Sequence, residues 1–203
     1  MFLARDLWIA NRDAAERILA HGFVQGLADG SLPASRFRTY VAQDAYFLEA
    51  FARAYALCLA NGPSRDDLYV FSELIAGVVE ELRLHGSFAE RLEIDLDQVT
   101  PMAATTAYID FLMDTARRGQ LGETIAAMTP CMRLYAFLGQ TLARRKVAPA
   151  YADWVKTYAG PGFEALAARL EGLLDRHATD SAAVRSNYRR AMDLEFRFFD
   201  AHL

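Results

Sequence analysis

Apolar side chains recur every three or four residues along almost the whole chain, and no run rich in valine, isoleucine and threonine shows strict alternation. A repeat near 3.6 buries one stripe of a helix, whereas a half-buried strand needs a repeat of two, so the chain reads as all-α with no strand. Glycine and proline interrupt the pattern at Gly22 to Pro33, Asn61-Gly62-Pro63, Gly86-Ser87, Thr100-Pro101, Gly119 to Gly122, Pro149 and Gly160-Pro161-Gly162. These breaks divide the chain into about eight segments. The spacing predicts helices over 3–20, 34–60, 64–85, 102–118, 122–145, 148–175 and 179–202, with short pieces near 22–29 and 88–92. Ser64 and Asp67 offer a start of capping-box type, and Pro33 suits the first turn of the helix it opens.

Long helices with short connections imply a helical bundle. The 203 residues contain no internal repeat, low-complexity tract or flexible linker, so residues 1–203 are expected to form a single domain with its own core. Hydrophobic residues make up 53% of the chain and aromatic residues 12%. That exceeds what a minimal core needs, so apolar surface is left for a ligand pocket or a subunit interface.

The stretch Met1-Phe2-Leu3-Ala4-Arg5-Asp6 is charged by its fifth residue, and no apolar run approaches the ~20 residues that span a bilayer. Neither export nor a membrane partner is expected. Cys58 and Cys131 form no C-x-x-C pair, which fits a reducing compartment, and the cytoplasm is the expected location. Net charge is -4 and the basic residues are scattered, with Arg144-Arg145-Lys146 as their small cluster, so nucleic acid is not an expected partner.

Three polar residues fall on apolar stripes. Phe37, Tyr40, Val41, Phe47, Leu48 and Phe51 share one helix face with Asp44 among them. A carboxylate aimed at a core needs strong donors, a raised pKa or a ligand that supplies the donors, and pairing with a neighbouring helix or a buried tyrosine would also satisfy it. Glu195 repeats the anomaly within Tyr188, Ala191, Met192, Phe198 and Phe199. Arg197 is a structural partner to consider, although residues two apart on a helix point in different directions. Two inward acids on different helices, with no lysine on either stripe, favour a site.

Cys131 lies on the stripe Cys131, Leu134, Tyr135, Leu138 and Leu142, directly after Pro130. It reads either as a small buried hydrophobe or as a reactive thiol. Pro130 either starts a helical turn with free N–H groups near the sulfur or kinks a continuous helix, and both arrangements are expected to favour thiolate. Tyr108 and Tyr158 sit on stripes of their own, as tethered core residues or as walls and hydroxyl donors around a heteroaromatic ligand. Cys58 reads as packing.

Metal and heme need a separate look because helical bundles hold both. Di-iron bundles use two Glu-x-x-His pairs, whereas here Glu81 precedes His85 by four residues with no second copy. His21 beside a glycine turn reads as a cap or surface residue. No metal and no cofactor is assigned.

His21-Gly22-Phe23-Val24-Gln25-Gly26-Leu27-Ala28-Asp29-Gly30-Ser31-Leu32-Pro33, followed by Phe37-x-x-Tyr40-x-x-Gln43-Asp44-x-Tyr46, resembles the opening signature of the TenA family, also called thiaminase II. Glu81-x-x-x-His85, Thr106-Ala107-Tyr108, Pro130-Cys131-x-x-x-Tyr135-x-x-x-Gly139, Trp154-x-x-x-Tyr158 and Glu195-x-x-Phe198-Phe199 resemble its later landmarks, in order and over essentially the full length. The resemblance implies a heme-oxygenase-like helical bundle without heme, commonly a homotetramer. It implies hydrolysis of an aminomethyl-aminopyrimidine from thiamin breakdown to hydroxymethylpyrimidine and ammonia, for thiamin salvage, with cleavage of intact thiamin as a further activity.

Pro130-Cys131 places the sequence with the members whose central group is a cysteine. By resemblance, Cys131 is the nucleophile, Glu195 the acid/base, and Asp44 the anchor for the ring's exocyclic amine and neighbouring nitrogen. Tyr108, Tyr158 and Tyr135 join in substrate binding, as does Phe47, which stands where a tyrosine is frequent. Met132, Arg133 and Phe196 also depart from the family pattern, and Arg133 and Phe137 are expected to alter the neighbourhood of Cys131. The alternative is a non-catalytic binding protein for a pyrimidine or another small heteroaromatic ligand.

Overall fold

Asn61, Gly62 and Pro63 end one 28-residue helix and Ser64 opens another of 28 residues. The computed structural model describes residues 2–203; Met1, the first residue of the amino-terminal stretch read above, lies outside the described residues. The helices follow in the order α1 (Leu3–Ala10), α2 (Arg12–Leu19), α3 (Gly22–Asp29), α4 (Ala34–Asn61), α5 (Arg65–Leu92), α6 (Ala103–Arg117), α7 (Leu121–Ala143), α8 (Ala152–Ala159), α9 (Pro161–His177) and α10 (Ala182–Asp200). Short 3₁₀ turns at Leu96–Gln98 and Pro149–Tyr151 precede α6 and α8. Among the described residues there is no strand, and no helix is long and apolar enough to cross a membrane.

Helix boundaries differ from the expected ones at three places, each for a local reason. The segment 3–20 is two helices because Asn11 leaves the helical region (φ -113°, ψ 15°), where its side-chain amide donates to the Leu7 carbonyl at 2.8 Å. Gly86-Ser87 does not interrupt α5, which continues to Leu92 and stops where Glu93 turns left-handed at φ 54°. The segment 148–175 divides at Gly160, and Pro161 opens α9 from the first position, where its missing N–H costs nothing. Pro130 lies inside an unbroken α7, so the Ala126 carbonyl gives up its regular helical donor. The capping box at Ser64 forms as expected: the Ser64 hydroxyl accepts from Asp67 N–H at 3.1 Å, and the Asp67 carboxylate accepts from Ser64 N–H at 3.0 Å.

Every residue from Thr124 to Met132 is buried, which marks α7 as the central helix. It packs against α8, α9 and α10, while α4 packs against α5 and α6. Gly139 permits the close approach of α7 and α8: a Cβ there would lie 2.4 Å from the backbone carbonyl carbon of Tyr158. Arg133 fastens α7 to α9 through paired bonds to Glu171 at 2.7 and 2.6 Å and to Glu164 at 2.9 Å. Fully buried Phe23, Phe51, Phe71, Leu134 and Leu138 belong to the core that these helices enclose, each contributing roughly 1.5–3 kcal/mol.

Candidate active site

The inward acids of α4 and α10 both lie in this core, Asp44 3% and Glu195 1% exposed. Asp44 Oδ2 is 2.8 Å from His85 Nε2 on α5, and His85 Nδ1 is 2.9 Å from the Glu81 carbonyl oxygen one turn earlier. Burial works against a charge on His85, but the hydrogen bond and negative charge of Asp44, with Glu81 behind it, push its pKa up to about 9. On the facing helix α6, the Tyr108 hydroxyl donates to Glu195 Oε1 at 2.7 Å. Burial raises Glu195 to about 8, offset in part by that hydrogen bond.

Cys131 and Glu195 lie close enough for each to shift the other's proton equilibrium. The expectation of a favoured thiolate is corrected here. Because α7 is continuous, no set of free helix N–H groups faces the sulfur, and burial together with Glu195, Glu81 and Asp44 drives the thiol well above its ordinary pKa. The resting sulfur is a thiol. Cys131 nevertheless keeps 9% of its surface exposed among fully buried neighbours such as Ala126, Ala127 and Leu134, so solvent-sized space lies beside it.

Aromatic side chains close the remaining walls. Tyr158 on α8 donates to Glu81 Oε1 at 2.5 Å and meets the Tyr135 ring edge-on at 4.8 Å. Tyr135 and Tyr40 share a hydroxyl contact at 3.2 Å, and Trp154 Nε1 donates to Tyr40 at 3.2 Å. The Phe47 ring lies 4.6 Å from that of Tyr108, and 6.1 Å from Phe198. Burial raises Glu81 to about 7 against the opposing pull of His85, although Glu81 also borders an apolar groove of about 330 Å³ walled by Leu74, Val78, Met132, Phe163 and Leu166.

All seven candidate residues, Asp44, Phe47, Tyr108, Cys131, Tyr135, Tyr158 and Glu195, therefore lie in the buried interior, linked by these contacts or within reach of one another's charges. Apart from Phe47, the family-departing residues lie elsewhere, and the expectation that Arg133 and Phe137 alter the surroundings of Cys131 is corrected. Arg133 reaches to α9, Phe137 packs against Trp8 and Arg12, and Phe196 packs against His21 and Arg17. Only Met132 comes near, in the groove beside Glu81.

Two residues that sequence reasoning left out of the site, Glu81 and His85, are its backing. Their signal was present: His85 falls on the same buried face of α5 as Phe71, Leu74, Val78 and Phe88. Among the described residues, no group of three His, Cys, Asp or Glu side chains is arranged to hold a metal ion.

A helical bundle that encloses a thiol, three carboxyls and a wall of aromatic hydroxyls belongs to the class of helical proteins whose polar groups are gathered in one buried interior cluster. Residues 8–203 match the model of the TENA/THI-4/PQQC family, and the chain belongs to that family. It is 35% identical to the mitochondrial Bifunctional TH2 protein of Arabidopsis thaliana, over 96% of this chain and 36% of that longer protein. It is 34% identical to the Aminopyrimidine aminohydrolase of Halalkalibacterium halodurans, over 89% of this chain and 86% of that one. Among solved structures, one described as a TenA family transcription regulator from Silicibacter sp. TM1040 superposes with a TM-score of 0.91 at 27% identity, covering 97% of this chain and 94% of its own.

Proposed function

We propose that this chain is an aminopyrimidine aminohydrolase of thiamin salvage, converting an aminomethyl-aminopyrimidine to hydroxymethylpyrimidine and ammonia. The observation that carries this reading is the burial of Cys131, Glu195 and Asp44 in one interior, within reach of one another's charges. Similarity to an aminopyrimidine aminohydrolase that matches most of the chain supports it.

The exocyclic carbon–nitrogen bond of such a substrate is not labile while the ring is aromatic. Glu195, as carboxylate, takes the Cys131 proton, and the sulfur adds to a ring carbon. Electron density from the ring's amino group then expels the amine from the side methylene, with Glu195 returning the proton to it. Water adds to the methylene, the ring carbon–sulfur bond breaks, and the ring regains aromaticity with the thiol restored. Asp44 accepts from the ring's amino group, and Phe47, Tyr108, Tyr135 and Tyr158 hold the ring and exclude bulk water.

The same reading takes residues 1–203 as a single domain of heme-oxygenase-like architecture without heme, working in the cytoplasm as a homotetramer. The exposed apolar side chains Tyr46, Leu68, Tyr69 and Val79 of α4 and α5 support association. Cleavage of intact thiamin is a further activity to assay. Ammonia release from aminomethyl-aminopyrimidine tests the function: the wild-type chain turns over and Cys131→Ala loses at least ~10³-fold while folding normally. Tight binding with no turnover of any aminopyrimidine would establish a binding protein instead.

A further inference from the structure

The reaction as drawn gives His85 no task, yet its surroundings leave its ring few choices. The side chain is 1% exposed, with Nδ1 2.9 Å from the Glu81 carbonyl and Nε2 2.8 Å from Asp44 Oδ2. A carbonyl oxygen only accepts, so Nδ1 carries a hydrogen. An ionised carboxylate also only accepts, so Nε2 carries one too whenever Asp44 is charged. A neutral imidazole satisfies one of these acceptors and faces the other with a lone pair.

The groups around the pair are almost all acids or phenols: Tyr40 on α4, Glu81 on α5, Tyr108 on α6, Cys131 and Tyr135 on α7, Tyr158 on α8, Glu195 on α10, and His202 just after α10. Among the described residues, His85 is the one side chain able to carry positive charge that hydrogen-bonds to Asp44, Glu81 or Glu195. His202, buried against Phe23, Tyr40 and Phe198, has no hydrogen-bond partner on either ring nitrogen.

We propose that His85 is a positioning residue, held as an imidazolium, that fixes the Asp44 carboxylate through Oδ2 and leaves its Oδ1 to accept the amino N–H of a bound heteroaromatic ring. With Nδ1 tied to the Glu81 carbonyl, the imidazolium can point only its Nε2–H at Asp44, which sets the orientation of that carboxylate. Asp44 thereby serves as the acceptor for the ring, and Glu195 is left to exchange its proton with Cys131. The sorting is set by α5, a helix that supplies none of the reacting groups. The inference rests on the pocket reading only for the identity of the ring.

Two measurements test it. In ¹⁵N-histidine-labelled protein without ligand at pH 7, the His85 ring, assigned by its loss in His85→Gln, should show both nitrogens protonated; a neutral-tautomer spectrum overturns the proposal. The second measurement is binding of hydroxymethylpyrimidine, the product, which is not turned over. Glutamine at position 85 keeps an N–H for Asp44 without the charge, so His85→Gln should weaken binding on the order of tenfold at pH 7 and recover toward wild type as pH rises to 9. Equal affinity with the same pH profile in both proteins overturns the proposal. If the variant does not fold, the wild-type ring spectrum decides alone, compared with His21→Gln, His177→Gln and His202→Gln for assignment. If the wild type binds no aminopyrimidine, the proposed function falls and the spectrum still decides on His85.

Discussion

A thiol that no cation touches, beside a carboxyl it must share protons with, cannot ionise alone; Cys131 depends on Glu195 for its nucleophilic form. Glu195 is raised to about 8 by burial, so below that pH it holds a proton and cannot accept another. kcat/KM for an aminopyrimidine should therefore climb with pH, about tenfold per unit, and level off near 8. Glu195→Gln should lose this limb together with ~10²–10⁴-fold of the rate. In the free protein, iodoacetamide should modify Cys131 at pH 8 at least about tenfold more slowly than a free thiol, because thiolate is the reacting form. Fast alkylation at pH 7, or a rate independent of pH between 6 and 8, would show that Cys131 ionises without Glu195. At this scale the sequence was informative about positions and silent about charge. Asp44, Cys131 and Glu195 stood out as polar groups on apolar stripes, but the state of the thiol depends on what three other helices bring to it. His85 was missed because the expected helix ended at that residue, which hid the stripe it shares with Phe88.

Tyr158 is brought to the pocket by one contact between elements, the crossing of α7 and α8 at Gly139. A methyl group at Gly139 would meet backbone on two sides, the Tyr158 carbonyl carbon at 2.4 Å and the Ala159 nitrogen at 2.6 Å, and backbone cannot swing aside as a side chain can. Gly139→Ala should push α8 outward, pull the Tyr158 hydroxyl from Glu81, raise KM, and cost about 1–3 kcal/mol, a fall in Tm of roughly 5 °C. Gly172→Ala is the control. It lies on the exposed side of α9 with no atom within 4 Å of the added methyl, and should leave activity unchanged and stability equal or slightly higher. An unaltered KM in Gly139→Ala would mean that the helix crossing does not set the position of Tyr158. Glycine was the least reliable guide to element boundaries for the same reason. Gly139 serves packing, Gly86 sits mid-helix with open space around it, and Gly160 does end a helix. The residue type is the same in all three, and only its neighbours distinguish a break from a crossing. Asn11 ended a helix that carried no glycine or proline signal at all.

For the whole molecule, the site is a stability cost that varies with pH. Glu195 moves from an ordinary 4.5 to about 8, and Glu81 from 4.5 to about 7, both through burial; His85 moves from 6.5 to about 9 because Asp44 and Glu81 outweigh its burial. All three shifts are upward, so the folded protein holds protons that the unfolded chain has released. The favourable contribution of each is complete below its unfolded value and is lost as pH rises through its folded one. Asp67, held down at about 2 by Ser64 and His177 despite the opposing effect of burial, acts in the other direction: its contribution is present above 3.8 and is lost as pH falls through about 2. Together these place the stability maximum near pH 4–5 for the groups concerned, with a decline up to about pH 9. Tm should fall over that interval. In Glu195→Gln the amide oxygen still accepts from Tyr108 but has no proton to release, so the decline between pH 4.5 and 8 should flatten, and the variant should gain on the order of 5 °C on the wild type between pH 5 and pH 8. Calorimetry at four or five pH values is sufficient to see this. Parallel Tm curves for the two proteins would mean that Glu195 is ionised throughout, and the rise of kcat/KM toward pH 8 would then have no proton on Glu195 to explain it.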